Sequence, residues 1–144
     1  MSGIIGGAGS KSGVIGETEL DYETGVWTPT FDNMTLTPNS GGWVSGTYQK
    51  IDNLVIAMVH IMNATSTGSN SSTMFLPFTN GPKRGTVNGT TGYGAFSYDN
   101  TTGIVTENNN YVTFLSDVAG SGWVTSSLRT TTSLYLHTLI TYYI

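Results

Sequence analysis

The chain has 144 residues, no cysteine, a formal net charge of −4, and a charged fraction of only 10%, against about 25% in an ordinary soluble domain. That length suits one domain with a short appendage, and without cysteine neither a disulfide nor a thiolate metal site is available. The basic residues Lys11, Lys50, Lys83, Arg84 and Arg129 are scattered, so no stripe can neutralise successive phosphates, which argues against a nucleic-acid partner.

Residues 1–20 form a compositional unit of their own. Two β-branched pairs, Ile4-Ile5 and Val14-Ile15, flank the glycine-rich stretch GGAGSKSG. Such a segment is too rich in glycine for a helix, and it lacks the basic start and long apolar run of a secretory signal. It is expected to be an extended arm that docks on another surface through Ile4, Ile5, Val14 and Ile15. Glu17, Glu19, Asp21 and Glu23 then alternate along the chain, which reads as one solvated side of an extended segment.

From residue 21 onward, short apolar runs alternate with Gly, Asn and Pro. Val26–Phe31 (VWTPTF) reads as an edge strand, because Pro29 cannot donate to a central ladder. Gly46–Ile51 reads as a second strand that turns at Asp52-Asn53 into Leu54–Met62. Met74–Phe78, Tyr93–Tyr98, Tyr111–Leu115, Trp123–Thr125 and Leu134–Ile144 follow, with Thr65–Thr73 as a solvated spacer. No helical period of useful length occurs, and no run reaches the roughly 20 apolar residues needed to span a bilayer as a helix. Short strands at this spacing predict an antiparallel sandwich or barrel over residues 21–144.

Two strands are apolar on both sides. Leu54, Ile56, Met58, His60 and Met62 alternate with Val55, Ala57, Val59 and Ile61. In the last strand Tyr135, His137, Leu139 and Tyr143 alternate with Leu134, Leu136 and Ile140. A sheet with one wet face needs polar residues at every second position. Leu54, Ile56, Met58, His60, Tyr135, His137 and Tyr143 are therefore expected at a subunit interface or in the core, and a homo-oligomer is favoured.

Catalytic chemistry is hard to assemble from these residues. The glycine-rich arm lacks the phosphate-loop spacing and has no helix behind it. The two histidines lie mid-strand among aliphatics, the acidic residues show no pairing suited to glycoside hydrolysis, and no loop has the oxygen density for Ca²⁺. No enzyme activity, cofactor or metal is expected. Exposed aromatic and amide side chains could still stack on and hydrogen-bond to sugars, and Tyr93, Trp123 and Asn109 are the candidates, with Trp43, Asn108 and Asn110 beside them. A tryptophan in such a chain is as readily a core plug.

Residues 21–31 (DYETGVWTPTF) and 46–61 (GTYQKIDNLVIAMVHI) resemble a C-terminal β-sandwich domain of tailed-phage tail-fibre and receptor-binding subunits. The matching residues are Tyr22, Glu23, Gly25, Trp27, Thr28 and Pro29, then Gly46, Tyr48, Lys50, Ile51, Asn53 and Val55, with Asp52 where that family usually has glycine. MFLPFTN and the closing LITYYI are similar to later strands of the family. The resemblance implies a jelly-roll-like sandwich, a homotrimer, and a place on the outer surface of a virion with a role in host attachment. Such subunits usually carry a long shaft before this module. Its lack here favours a knob or a capsid decoration protein anchored by its arm. A monomeric carbohydrate-binding module is the rival reading from a different class.

Overall fold

The computed structural model describes residues 21–93, 95–97, 101–118 and 122–144. The anchors expected at Ile4, Ile5, Val14 and Ile15 lie outside the described residues. Among the described residues there are nine strands: β1 (Tyr22–Trp27), β2 (Met34–Ile51), β3 (Leu54–Gly68), β4 (Thr73–Phe75), β5 (Gly85–Tyr93), β6 (Thr101–Val105), β7 (Tyr111–Val118), β8 (Gly122–Thr125) and β9 (Leu134–Tyr143). They form one antiparallel sheet in the order β1-β2-β3-β9-β5-β6-β7-β4, with β8 on β7. The all-β class expected from the sequence is therefore what the chain adopts.

The sheet curls into a half-barrel. Residues just beyond β1 meet β4, the far end of the order: Asp32 N–H donates to the Thr73 carbonyl at 3.1 Å, and Phe75 N–H donates to the Thr30 carbonyl at 2.9 Å. Register shifts between Pro38 and Trp43, Ile61 and Ala64, and Val87 and Thr90 supply the extra bend that such irregularities bring. Enclosed within the curl are Val55, Ala57, Val59 and Ile61 of β3, Leu136, Ile140 and Tyr142 of β9, and Val112 and Phe114 of β7. The arrangement is consistent with a sandwich, while the strand order does not establish jelly-roll connectivity.

The residues of the two sequence motifs face each other across β1 and β2. Trp27 is paired with Gly46, Gly25 with Tyr48, and Glu23 with Lys50. Each glycine lies under the aromatic ring of the opposite strand: a Cβ on Gly46 would meet the Trp27 indole, and one on Gly25 would meet the Tyr48 phenol. Cross-strand aromatics of this kind cover the surface that glycine leaves bare and pin register. Tyr48 Oη donates to Glu23 Oε1 at 2.6 Å, and Lys50 is ion-paired with Asp21. The motif is a pairing code for β1 against the second half of β2.

The turn after β2 is where the sequence placed it. Ile51 pairs with Leu54, leaving Asp52-Asn53 as a two-residue loop. Asp52 takes φ +50°, a left-handed conformation that Asp tolerates better than most residues other than glycine. Its Oδ1 accepts the Asp21 N–H at 3.0 Å, and its own N–H donates to the Asp21 carbonyl at 2.7 Å.

Several strand boundaries differ from expectation. The edge strand is Tyr22–Trp27, with Pro29 in the following connection. Of Met74–Phe78, only Met74 and Phe75 belong to β4. The strand expected at Tyr93–Tyr98 ends where it was to begin, because β5 runs from Gly85 to Tyr93. Gly85 reads as a breaker, yet a Cβ there would sit 2.5 Å from the Tyr142 Cβ and 2.8 Å from the Thr141 carbonyl. Glycine marks the close approach of β9. Thr65–Thr73 is no spacer either. Ser66 is buried and accepts the Thr131 N–H at 2.7 Å, while the backbones of Ser71 and Leu128 exchange hydrogen bonds at 3.2 and 2.7 Å.

Gly46→Ala should push the half-buried indole of Trp27 aside and cost about 1–3 kcal/mol, the usual range for overpacking. Chemical denaturation measures it, and an unchanged midpoint would show that the ring-on-glycine contact carries no weight.

Candidate functional site: the outer face of the β1–β2–β3–β9 sheet

Because directly opposed residues in an antiparallel pair share a face, the register assigns both sides of this quarter of the sheet. Val55, Ala57, Val59 and Ile61 of β3 are fully buried on the inner side. The alternating residues Leu54, Ile56, Met58, His60 and Met62 lie on the outer side, half-buried apart from Met58, which is 40% exposed. Leu54, Ile56, Met58 and His60 are not members of the buried core cluster. Within β9 the same holds: Leu134, Leu136, Ile140 and Tyr142 are buried inside, while Tyr135 and Leu139 are half-buried and His137 and Tyr143 are exposed outside.

The outer side continues in cross-strand rows. Met58 is opposite Thr47 on one side and Leu139 on the other, and Thr47 is opposite Val26. Ile56 lies between Gln49 and Thr141, and Leu54 between Ile51 and Tyr143. Val26 is 79% exposed at the edge. A shallow depression is lined by Val26, Thr47, Gln49, Ile56 and Met58. None of the outward positions of β1, β2, β3 and β9 in these rows is Asp, Glu, Lys or Arg.

In the outward row beyond Met58 and Leu139 are the two histidines. His60 and His137 are opposite each other in the register, with Nδ1 atoms 2.9 Å apart and rings edge to face at 5.0 Å. One Nδ1 donates and the other accepts in such a contact.

Formal charges lie elsewhere. Tyr48 is raised above the ordinary phenol range, first by its hydrogen bond to Glu23 and then by desolvation. The Asp21 carboxylate raises Lys50. Glu107 is lowered, first by a backbone hydrogen bond and then by Arg84, whose Nε donates to Glu107 Oε1 at 3.0 Å. Burial raises Tyr142, whose hydroxyl accepts the Phe78 N–H at 3.3 Å. Among the described residues, no group of three or more His, Asp or Glu is placed to hold a metal.

The residues expected to contact sugars lie on several different elements. Trp123 is 66% exposed on β8 and Trp43 is 46% exposed on β2, so neither is the core plug that a tryptophan could have been. Their strands are far apart in the sheet order. Asn109 spends its amide on the Glu107 carbonyl at 2.9 Å and shapes the turn before β7. The backbone of Tyr93 pairs with Tyr135, and its side chain is outside what is described. The His–His contact is the feature that sequence reading missed. The signal was two histidines at matching outward positions of two strands, which becomes legible once β3 and β9 are known to be neighbours.

Comparison of the chain with family models, with curated proteins and with solved structures finds no match.

Proposed function

We propose that this chain is a non-enzymatic structural protein that binds copies of itself through the outer face of β1, β2, β3 and β9. The observation behind this is the Val26–Thr47–Met58–Leu139 row, an uncharged and largely apolar strip left open across the sheet. Nine-residue stretches of β2, β3 and β9 with the six residues of β1 give a patch of roughly 14 Å by 17–27 Å, or about 350 Å². The largest apolar patch on a typical monomer is about 300–600 Å² and is often functional. A second copy is the fitting occupant. Uncharged surfaces can meet without like-charge repulsion, and a ring of three copies closes when one part of this face on each copy meets a different part on the next.

The resemblance at residues 21–31 and 46–61 extends this reading to a trimeric subunit on the outside of a tailed-phage virion, of the tail-fibre or knob type and with a role in host attachment. A capsid decoration protein is the neighbouring alternative and uses the same self-association. In either place the arm at residues 1–20 is the proposed anchor to a capsid or tail protein, a role that rests on its sequence. The rival reading, a monomeric carbohydrate-binding module, draws on the exposure of Trp123, whose indole is open to stack on a sugar ring.

Light scattering of the intact chain at micromolar concentration is expected to give the mass of three copies. Met58→Glu should return it to a single chain with unchanged far-UV circular dichroism, since the substituted side chain projects outward. A single-chain mass for the unaltered protein would end the self-association reading. Deleting residues 1–16 should abolish incorporation into particles while the fold survives; normal incorporation would remove the arm's role. Retention on a glycan array that is lost with Trp123→Ala, in a protein of single-chain mass, would promote the sugar-binding reading instead.

A further inference from the structure

His60 and His137 are the protein's two histidines, 77 residues apart in sequence and directly opposed in the sheet. Their backbones are held from beneath. Val59 and Ile61 flank His60 and Leu136 precedes His137, all fully buried, so the two backbone positions that carry the imidazoles are fixed opposite each other before any ligand arrives. Two imidazoles bound side by side on a late first-row ion, each at about 2.0–2.1 Å, have nitrogens about 2.9–3.4 Å apart for bond angles of about 90–109°. The Nδ1 separation of 2.9 Å falls in that range.

We propose that this pair is a two-imidazole binding site for a divalent late first-row transition metal ion, Zn²⁺, Ni²⁺ or Cu²⁺. In the metal-free contact one imidazole carries its proton on Nδ1 and points it at the other. To bind, that imidazole changes tautomer, its proton ending on Nε2, and both Nδ1 lone pairs then meet the ion. No net proton is lost from the pair. Water completes the coordination, because the pair opens outward from the sheet.

The surroundings decide which ions qualify. Met58 and Met62 stand two residues to either side of His60 on the same face, and Leu139 stands two residues after His137. No carboxylate is carried on the outward positions of β1, β2, β3 or β9 described above to attract a hard ion such as Mg²⁺ or Ca²⁺, and no lysine or arginine is there to repel a cation. Imidazole with thioether neighbours suits copper, nickel and zinc. Metal binding at this pair does not require self-association.

Isothermal titration calorimetry of the full chain at neutral pH, with ZnCl₂, NiCl₂, CuCl₂ and MgCl₂ in turn, tests the proposal. One ion per chain is expected for the three transition metals, with CuCl₂ tightest and no heat from MgCl₂. His60→Gln and His137→Gln should each weaken binding at least tenfold while far-UV circular dichroism stays unchanged. No uptake by the unaltered chain, or unaltered affinity in either variant, would overturn the site. Should a variant fail to fold, Cu²⁺ broadening of imidazole proton resonances in the unaltered chain decides the matter. Selective loss of both histidine signals supports the site, and intact signals exclude it.

Discussion

The register of β3 is the constraint on which the rest of the molecule depends. In most half-buried strands, alternation of apolar and polar residues sets the register, since a slip of one residue would turn the greasy side to water. β3 lacks that safeguard, because Leu54–Met62 is apolar on both sides. Its register must come from neighbours. The two-residue turn at Asp52-Asn53 permits one alignment of β2 with β3, and the interlocked pairs Trp27–Gly46 and Gly25–Tyr48 hold β2 to β1. The small and β-branched set Val55, Ala57, Val59 and Ile61 faces inward, where the curl of the sheet leaves least room. The longer thioethers and the imidazole face out.

This arrangement places most of the conspicuous motif, apart from Tyr22 and Ile51, on the side opposite the surface proposed to bind. The matching residues of β1 and β2 are used in pairing: Glu23 receives the Tyr48 hydroxyl, Lys50 meets Asp21, and Trp27 lies over Gly46. Trp27 even leaves its Nε1 buried without a hydrogen-bond partner among the described residues, a cost accepted for packing the ring. A likeness carried by such residues speaks for a shared strand pair more directly than for a shared activity. The proposed self-association draws instead on the opposite side of the same strands.

The outer face is broad, free of formal charge in the rows described, rich in Met, Leu, Ile and Tyr, and carries a hydrogen-bonded histidine pair. Across the whole sequence only 10% of residues are charged, and those on this half of the molecule are drawn to the turn and edge near Asp21, Glu23, Lys50 and Asp52. A strand surface with its formal charges removed to the rim is well disposed to meet another such surface.

By itself the sequence determined the all-β class, the turn at Asp52-Asn53, and the strands around β3, β7, β8 and β9. Apolar runs bounded by turn residues are local signals that do not depend on distant partners. The sequence also showed that β3 and β9 have two apolar sides. Only the tertiary structure decided which side is covered, because burial depends on how the sheet curls. β5 and β6 were illegible for a related reason: Gly85 and Gly103 look like breakers until β9 and the side chains of Val87 and Val112 are seen pressed against them. So were the buried hydroxyl of Ser66, tied to residues more than sixty positions away, and the contact between His60 and His137. Each is set by strand order, which residue pattern does not encode.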